Sequence, residues 1–301
     1  MLISEIDNGI RTSAVLLEYS FFFAGLVCLG YWSLKTDFGR KALIDSKTRP
    51  HRMPVYLPFI PLLLYMIILS GALMTIEKTY PNLEPSQQIL IENLILLIGT
   101  IICIEVILYL AKMYFLQGLK GFGLQPKAIV KDLKNGALTL ISIWPIIMVV
   151  FLVTVYFGQS MYGEEFEIRP HRELESIVAY PQFWIRALIV FIAAFLVPVF
   201  EELLFRGLFQ TMIRSCLEQF GIFKRFRNKS LVPWTAIITA STLFTVAHED
   251  KWHWPALFVL SCGMGYAYEK SGSLFRPIFV HLLFNSIALT STLFLSDYSN
   301  I

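Results

Sequence analysis

Charge is scarce in this chain. Only 16% of its 301 residues are Asp, Glu, Lys or Arg, against about 25% in an average soluble domain. That deficit, with 56% hydrophobic residues and a mean hydropathy of +0.62, excludes an ordinary soluble globule. Cysteine is sparse as well: Cys28, Cys103, Cys216 and Cys262 stand apart, with no CxxC pair. A disulfide framework is thereby set aside, and the four read as small core residues. Missing too are an HExxH motif, an internal repeat, a low-complexity tract and any loop long enough to fold alone. Glu5 and Asp7 precede Arg11, and the apolar stretch that follows is too long for the core of a cleavable signal peptide.

What the chain has is oil in blocks. A helix needs about 20 apolar residues to cross roughly 30 Å of hydrocarbon. Stretches near 12–32, 54–76, 89–111, 137–158, 187–212, 232–248, 254–269 and 277–296 qualify or nearly qualify. The sixth and seventh are short, which suits helices that meet a cavity rather than lipid alone. Pro54, Pro58 and Pro61 open the second, where a helix start tolerates them. These blocks predict an all-α fold: a polytopic membrane helix bundle of about eight transmembrane helices with a polar intramembrane cavity, forming one integral membrane domain over 1–301.

The loops alternate in charge. Those at 33–53, 112–136, 213–231 and 270–276 hold 18 Lys and Arg, while the opposite side holds five, Arg11, Lys78, Arg169, Arg172 and Lys251. By the positive-inside rule the basic loops face the cytoplasm and both termini lie outside. The acidic loop 159–183, with Glu164, Glu165, Glu167, Glu173 and Glu175, then lies outside as well. Segment 214–230 mixes apolar and basic residues, as an inner-surface helix or an ordinary basic loop would. The expected location is a prokaryotic plasma membrane, with the lipid bilayer as a partner and no nucleic acid.

Polar residues inside the blocks stand out. "FEELLFRGLF" places Glu201, Glu202 and Arg206 in an apolar run. A charge at the bilayer centre costs at least about 2.5–3.5 kcal/mol, so such groups face a cavity, pair, or do chemistry. Glu202 and Arg206 are four apart and share a helix face, which predicts an ion pair. Glu201 is turned about 100° away and shares its stripe with Phe205. Pro198 should kink the helix just before the site. "FTVAH" puts Phe244 and His248 on one face, and "HLLFN" does the same for His281 and Asn285. Each constellation alone suits a polar bridge between helices; together they suit a reactive site.

Glu, His, His and Asn can split an amide with water. A carboxylate held out of bulk water can take a proton from water, and a neighbouring imidazole can share that role or protonate the leaving amine. His281 and Asn285 could donate to the oxyanion of a tetrahedral intermediate, a contribution worth roughly 2.7–4 kcal/mol per donor elsewhere. No nucleophilic Ser or Cys and no cofactor is needed. Two His and a Glu could instead hold Zn²⁺, but an arginine beside them disfavours a metal, and none is expected. His51 and His171 read as solvated loop residues, and His253 as an interface residue beside Trp252 and Trp254.

Depth poses a difficulty. Starting the fifth span near Leu188 and ending it near Met212 brings Glu201 close to mid-membrane. His248, 16 residues along the sixth span, then falls towards the outer end, and a gap of about 10 Å is left for tilt and a wet cavity to close.

"EELLFRG", "LFTVAH" and "GMGYAYEKSGSLFRPIFVHLLFN" resemble the successive motifs of the CPBP family, the CAAX-protease and bacteriocin-processing membrane proteins described as glutamate-type intramembrane endopeptidases. The likeness runs from about 187 to 290, and "GFGL" (121–124) is similar to the family's lead-in. It implies a catalytic core at 187–290 preceded by family-variable N-terminal spans at 1–180. It also implies that Glu201 and His248 activate water, that His281 and Asn285 stabilise the transition state, and that Glu202 and Arg206, with Phe244 beside them, shape the site. The implied activity is hydrolysis of a peptide bond in a membrane-associated protein or peptide, lipidated or not, in CAAX-type or bacteriocin/leader-type processing. Two other functions compete: a non-catalytic scaffold or immunity protein of the same fold, and a proton-coupled transporter, which would need inverted repeats that the sequence lacks.

Overall fold

The computed structural model describes residues 2–46, 48–79, 82–168, 172–180, 182–219 and 229–296. Among them are ten helices: α1 (Leu2–Thr36), α2 (Phe59–Thr79), α3 (Pro85–Tyr114), α4 (Gly118–Phe122), α5 (Pro126–Tyr162), α6 (Arg172–Ala179), α7 (Phe183–Gln219), α8 (Leu231–Val246), α9 (Trp254–Ser271) and α10 (Phe275–Ser296). Four of these, α2, α3, α5 and α7, are long and apolar enough to cross a membrane, and α8 and α10 are shorter apolar helices. This is the make-up of an integral membrane bundle.

Helix ends follow local chemistry. Pro85 opens α3, where a first-turn residue needs no backbone donor. Helix α9 stops at Gly272, whose φ of +71° only glycine adopts freely and whose N–H caps Tyr268 O at 2.9 Å. Two elements escaped the sequence reading: the basic connection 112–136 contains the five-residue α4, and the acidic connection 159–183 contains α6, a two-turn amphipathic helix. Its apolar period is too brief to stand out from the acidic residues. His171 and residues 220–228 of the basic segment 214–230 lie outside the described residues.

Helix α7 is the axis of the fold. Every residue of its stretch "LLFRGLFQ" (Leu203–Gln210) is buried, as expected of a helix apolar on all sides. Around it pack Cys103 and Ile107 of α3, Leu140 and Ile147 of α5, Phe244 of α8, Leu260 and Met264 of α9, and Ile278 and Val280 of α10. Helix α7 is also irregular: Ile192–Leu196 and Leu203–Gln210 are π-helical, with the α-helical turn Val197–Glu202 between them. The two acidic residues end that turn. Such π-segments cluster at functional sites.

The gap in depth closes through helix length. With 37 residues, α7 is about 55 Å long and overshoots the hydrocarbon, so Glu201 sits near its middle. With 16 residues, α8 rises only about 24 Å, close to the 27 Å or so from Gln219 back to Glu201. Its end therefore meets the middle of α7 without any need for tilt.

Candidate active site

The pair expected from four-residue spacing is present: Arg206 Nη1 donates to Glu202 Oε1 at 2.7 Å. Arg206 Nη2 also donates to Ser261 Oγ at 2.7 Å and to Ser261 O at 3.2 Å, which fixes the guanidinium against α9. Glu202 is fully buried, whereas Glu201 keeps 19% of its side chain exposed. Of the two carboxylates, Glu201 is the one that water can reach.

His281 joins them. Its Nδ1 lies 2.9 Å from Glu202 Oε1, and its Nε2 lies 3.7 Å from Glu201 Oε2. Glu202 Oε1 already accepts from Arg206, so Nδ1 carries the proton and donates. In the neutral ring Nε2 is then an acceptor facing Glu201. Two carboxylates, one guanidinium and one further proton between Glu201 and His281 sum to zero charge, the cheapest state for a buried cluster. Glu202 Oε2 is buried with no partner among the described residues.

Phe244 is the centre of the cluster. Its ring lies 4.7 Å from that of His248, 5.8 Å from that of His281 and 5.2 Å from that of Phe205, with Arg206 Cζ at 4.6 Å. His248 just follows α8. Its Nδ1 sits 2.8 Å from Phe244 O, and Trp254 Nε1 donates to its carbonyl at 2.8 Å. A carbonyl only accepts, so His248 Nδ1 is the protonated nitrogen and Nε2 is left as a base. Sequence separation hid all of this except the Phe244–His248 contact.

Asn285 is placed differently. Its Nδ2 donates to Ala193 O at 3.0 Å, in the first π-segment of α7. One amide hydrogen is thus committed to backbone. Among the described residues no three His, Cys, Asp or Glu side chains are arranged to hold a metal ion.

A second polar cluster, missed in the sequence, lies further along α7. Glu269 of α9 pairs with Arg214, accepts from Gln210 Nε2 at 3.1 Å, and has Arg49 Nη1 at 4.0 Å. Arg49 also caps the Tyr268 ring at 3.5 Å and donates to Tyr268 O. The rule that flags Glu202, a charge inside an apolar helix, flags Glu269 equally. His51, expected in solvent, is half-buried against Phe115, with Nδ1 accepting from Met53 N–H. Burial pushes its imidazole below the ordinary value of 6.5.

The "GFGL" lead-in touches the site's scaffold. The Phe122 ring occupies the space a side chain at Gly207 would need, Gly123 O accepts from Leu274 N–H at 3.0 Å, and Tyr268 OH donates to Phe122 O.

Residues 182–287 match the family model described as Rce1-like, type II CAAX prenyl endopeptidase. No curated protein and no solved structure gave a match to the chain. The matched segment holds Glu201, Glu202, Arg206, Phe244, His248, His281 and Asn285, and over it the chain carries a domain of the Rce1-like CAAX prenyl endopeptidase (CPBP) family, whose members are hydrolases.

Proposed function

We propose that the protein is an intramembrane endopeptidase acting on a peptide bond of a membrane-associated protein or peptide. One observation carries the reading: within the family-matched segment, Glu201 and Glu202 both face His281, and His281 and His248 both pack on a single buried ring, Phe244. Glu201, the exposed carboxylate, and His248 Nε2 take the proton of an attacking water. With the shared proton on His281 Nε2 and Glu201 ionised, His281 donates to the oxyanion, joined by the second amide hydrogen of Asn285, and the proton taken from water passes to the leaving amine as the C–N bond breaks. Arg206 and Glu202 fix the orientation of the His281 ring, with Nδ1 donating to Glu202 and Nε2 turned towards Glu201. Nothing in the scheme uses a metal, and the substrate is of the CAAX or leader-peptide kind, lipidated or not.

The setting completes the proposal: eight spans in a prokaryotic plasma membrane, both termini outside, a single domain with N-terminal spans at 1–180 and a catalytic core at 187–290. The test compares membrane proteomes of cells carrying the parent protein or Glu201→Gln, which keeps the side chain's size and removes the base. Cleavage products should vanish with the variant while its folded yield is unchanged. Products persisting with a folded Gln variant would sink the mechanism, and products lost on chelation and restored by zinc would replace it with a metal-dependent one.

A further inference from the structure

Asn285 answers to a defect in α7. In the first π-segment, Val197 N–H reaches back five residues to Ile192 O. The next rung of that pattern would run from residue 198 to Ala193 O, but residue 198 is proline and has no N–H. Ala193 is half-buried, and a carbonyl withdrawn from water without a partner is costly. The side chain of Asn285, from α10, supplies the missing donor at 3.0 Å.

The bulge also sets the phase of the helix. A π-turn holds one residue more than an α-turn, which rotates everything beyond it by about 100°. Ala193 and Glu202 are nine positions apart, so a plain α-helix would set them about 180° apart; with the extra residue the angle falls to about 80°. His281 and Asn285 are four apart on one face of α10, yet they contact Glu202 and Ala193 respectively. One face of one helix can reach both only because the bulge has turned them towards it.

We propose that Asn285 is a positioning residue: its amide stands in for the backbone donor that Pro198 lacks, pins the π-turn at Ile192–Leu196, and so holds Glu201 and Glu202 against His281. This is additional to any hydrogen bond it makes to substrate. The activity arm of the test below rests on the endopeptidase reading; the stability arm does not.

Pro198→Ala returns an N–H at the position that lacks one. Asn285→Ala is therefore compared in the parent and in Pro198→Ala, by thermal unfolding in detergent and by cleavage kinetics. In the parent, Asn285→Ala should lower the melting temperature and cut kcat about 100-fold with KM retained, as misplacement of reacting groups does, and in Pro198→Ala the kcat loss should shrink to about tenfold or less. The melting temperature should be rescued in parallel. Equal losses in both backgrounds, in stability and turnover alike, would overturn the proposal and leave Asn285 a donor to substrate only. Should Pro198→Ala fail to fold, Asn285→Leu, of similar size but without a donor, carries the test: a melting temperature equal to the parent's would overturn it. A parent protein that cleaves nothing, with the stability rescue intact, would count against the endopeptidase reading and not against this one.

Discussion

Adjacent carboxylates at 201 and 202 meet different surroundings because one residue turns a helix by about 100°. Glu202 lies inside, bonded to Arg206 and His281, and Glu201 keeps an open edge. Removing one partner of a buried ion pair strands the other and typically costs about 3–5 kcal/mol. Glu202→Gln and Arg206→Met should each destabilise the protein by that order in detergent, and the double variant should recover much of the loss. Glu201→Gln with Arg206→Met should show little recovery. Thermal unfolding of these variants checks the assignment, and coupling of Arg206 to Glu201 alone would reverse it. His51 supplies a pH test at the same scale. Its folded-state value is depressed by burial, so its contribution to stability is present above 6.5 and lost as pH falls through the lowered value. Melting temperatures measured at about pH 7.5 and about pH 5.5 should fall further apart for the parent than for His51→Gln.

Local geometry explains which parts of the site were legible in the sequence. Pairs at the four-residue spacing, Glu202 with Arg206 on α7 and Phe244 with His248 just past the end of α8, follow from the helical repeat, and both contacts exist. Contacts between helices do not follow: nothing in the spacing says that His281 bridges two carboxylates 79 and 80 positions away, or that Ser261 holds Arg206. The π-segments were hidden too, because Pro198 announces a kink but not the extra residue that absorbs it. An all-helical, largely apolar chain was easier to read than where its helices end. Of the eight expected blocks, four are long apolar helices and two are shorter ones, and α5 and α7 run to 37 residues each, well beyond the blocks read at 137–158 and 187–212. At this scale Gly207 makes a sharp prediction. Phe122 is fully buried and held edge-on by Phe115 at 5.0 Å, so its ring cannot yield to a side chain at 207. Gly207→Ala should cost about 1–3 kcal/mol by overpacking. Combining it with Phe122→Leu should recover part of the loss, because the smaller side chain vacates that space. Additive losses in thermal unfolding would mean that the lead-in and α7 are not coupled through this contact.

Across the whole molecule, charge and contact agree on two distinct ends. Lys270 Nζ donates to Ala42 O, Arg214 pairs with Glu269, and Arg276 holds Asp132 at 3.1 Å, which draws the four basic segments together. Arg52 N–H to Tyr114 O and Leu116 N–H to Pro50 O stitch 50–52 to 114–116 beneath them. Elsewhere Tyr162, Phe166 and Trp252 form an aromatic cluster among the acidic connections, as residues at a membrane interface do. Asp132 and Tyr162 stand near opposite ends of α5, so among the described residues the basic contacts and the aromatic cluster are divided by the length of that helix. A bilayer with a negative inner surface and an inside-negative potential reads such a division as orientation. Single cysteines placed in a variant lacking Cys28, Cys103, Cys216 and Cys262 test it, using the exposed positions Lys127 and Glu165. In intact cells a membrane-impermeant thiol reagent should label Glu165→Cys, and it should reach Lys127→Cys only after lysis. The opposite pattern would invert the protein. A substrate anchored on the cytoplasmic leaflet would then meet the aromatic end first.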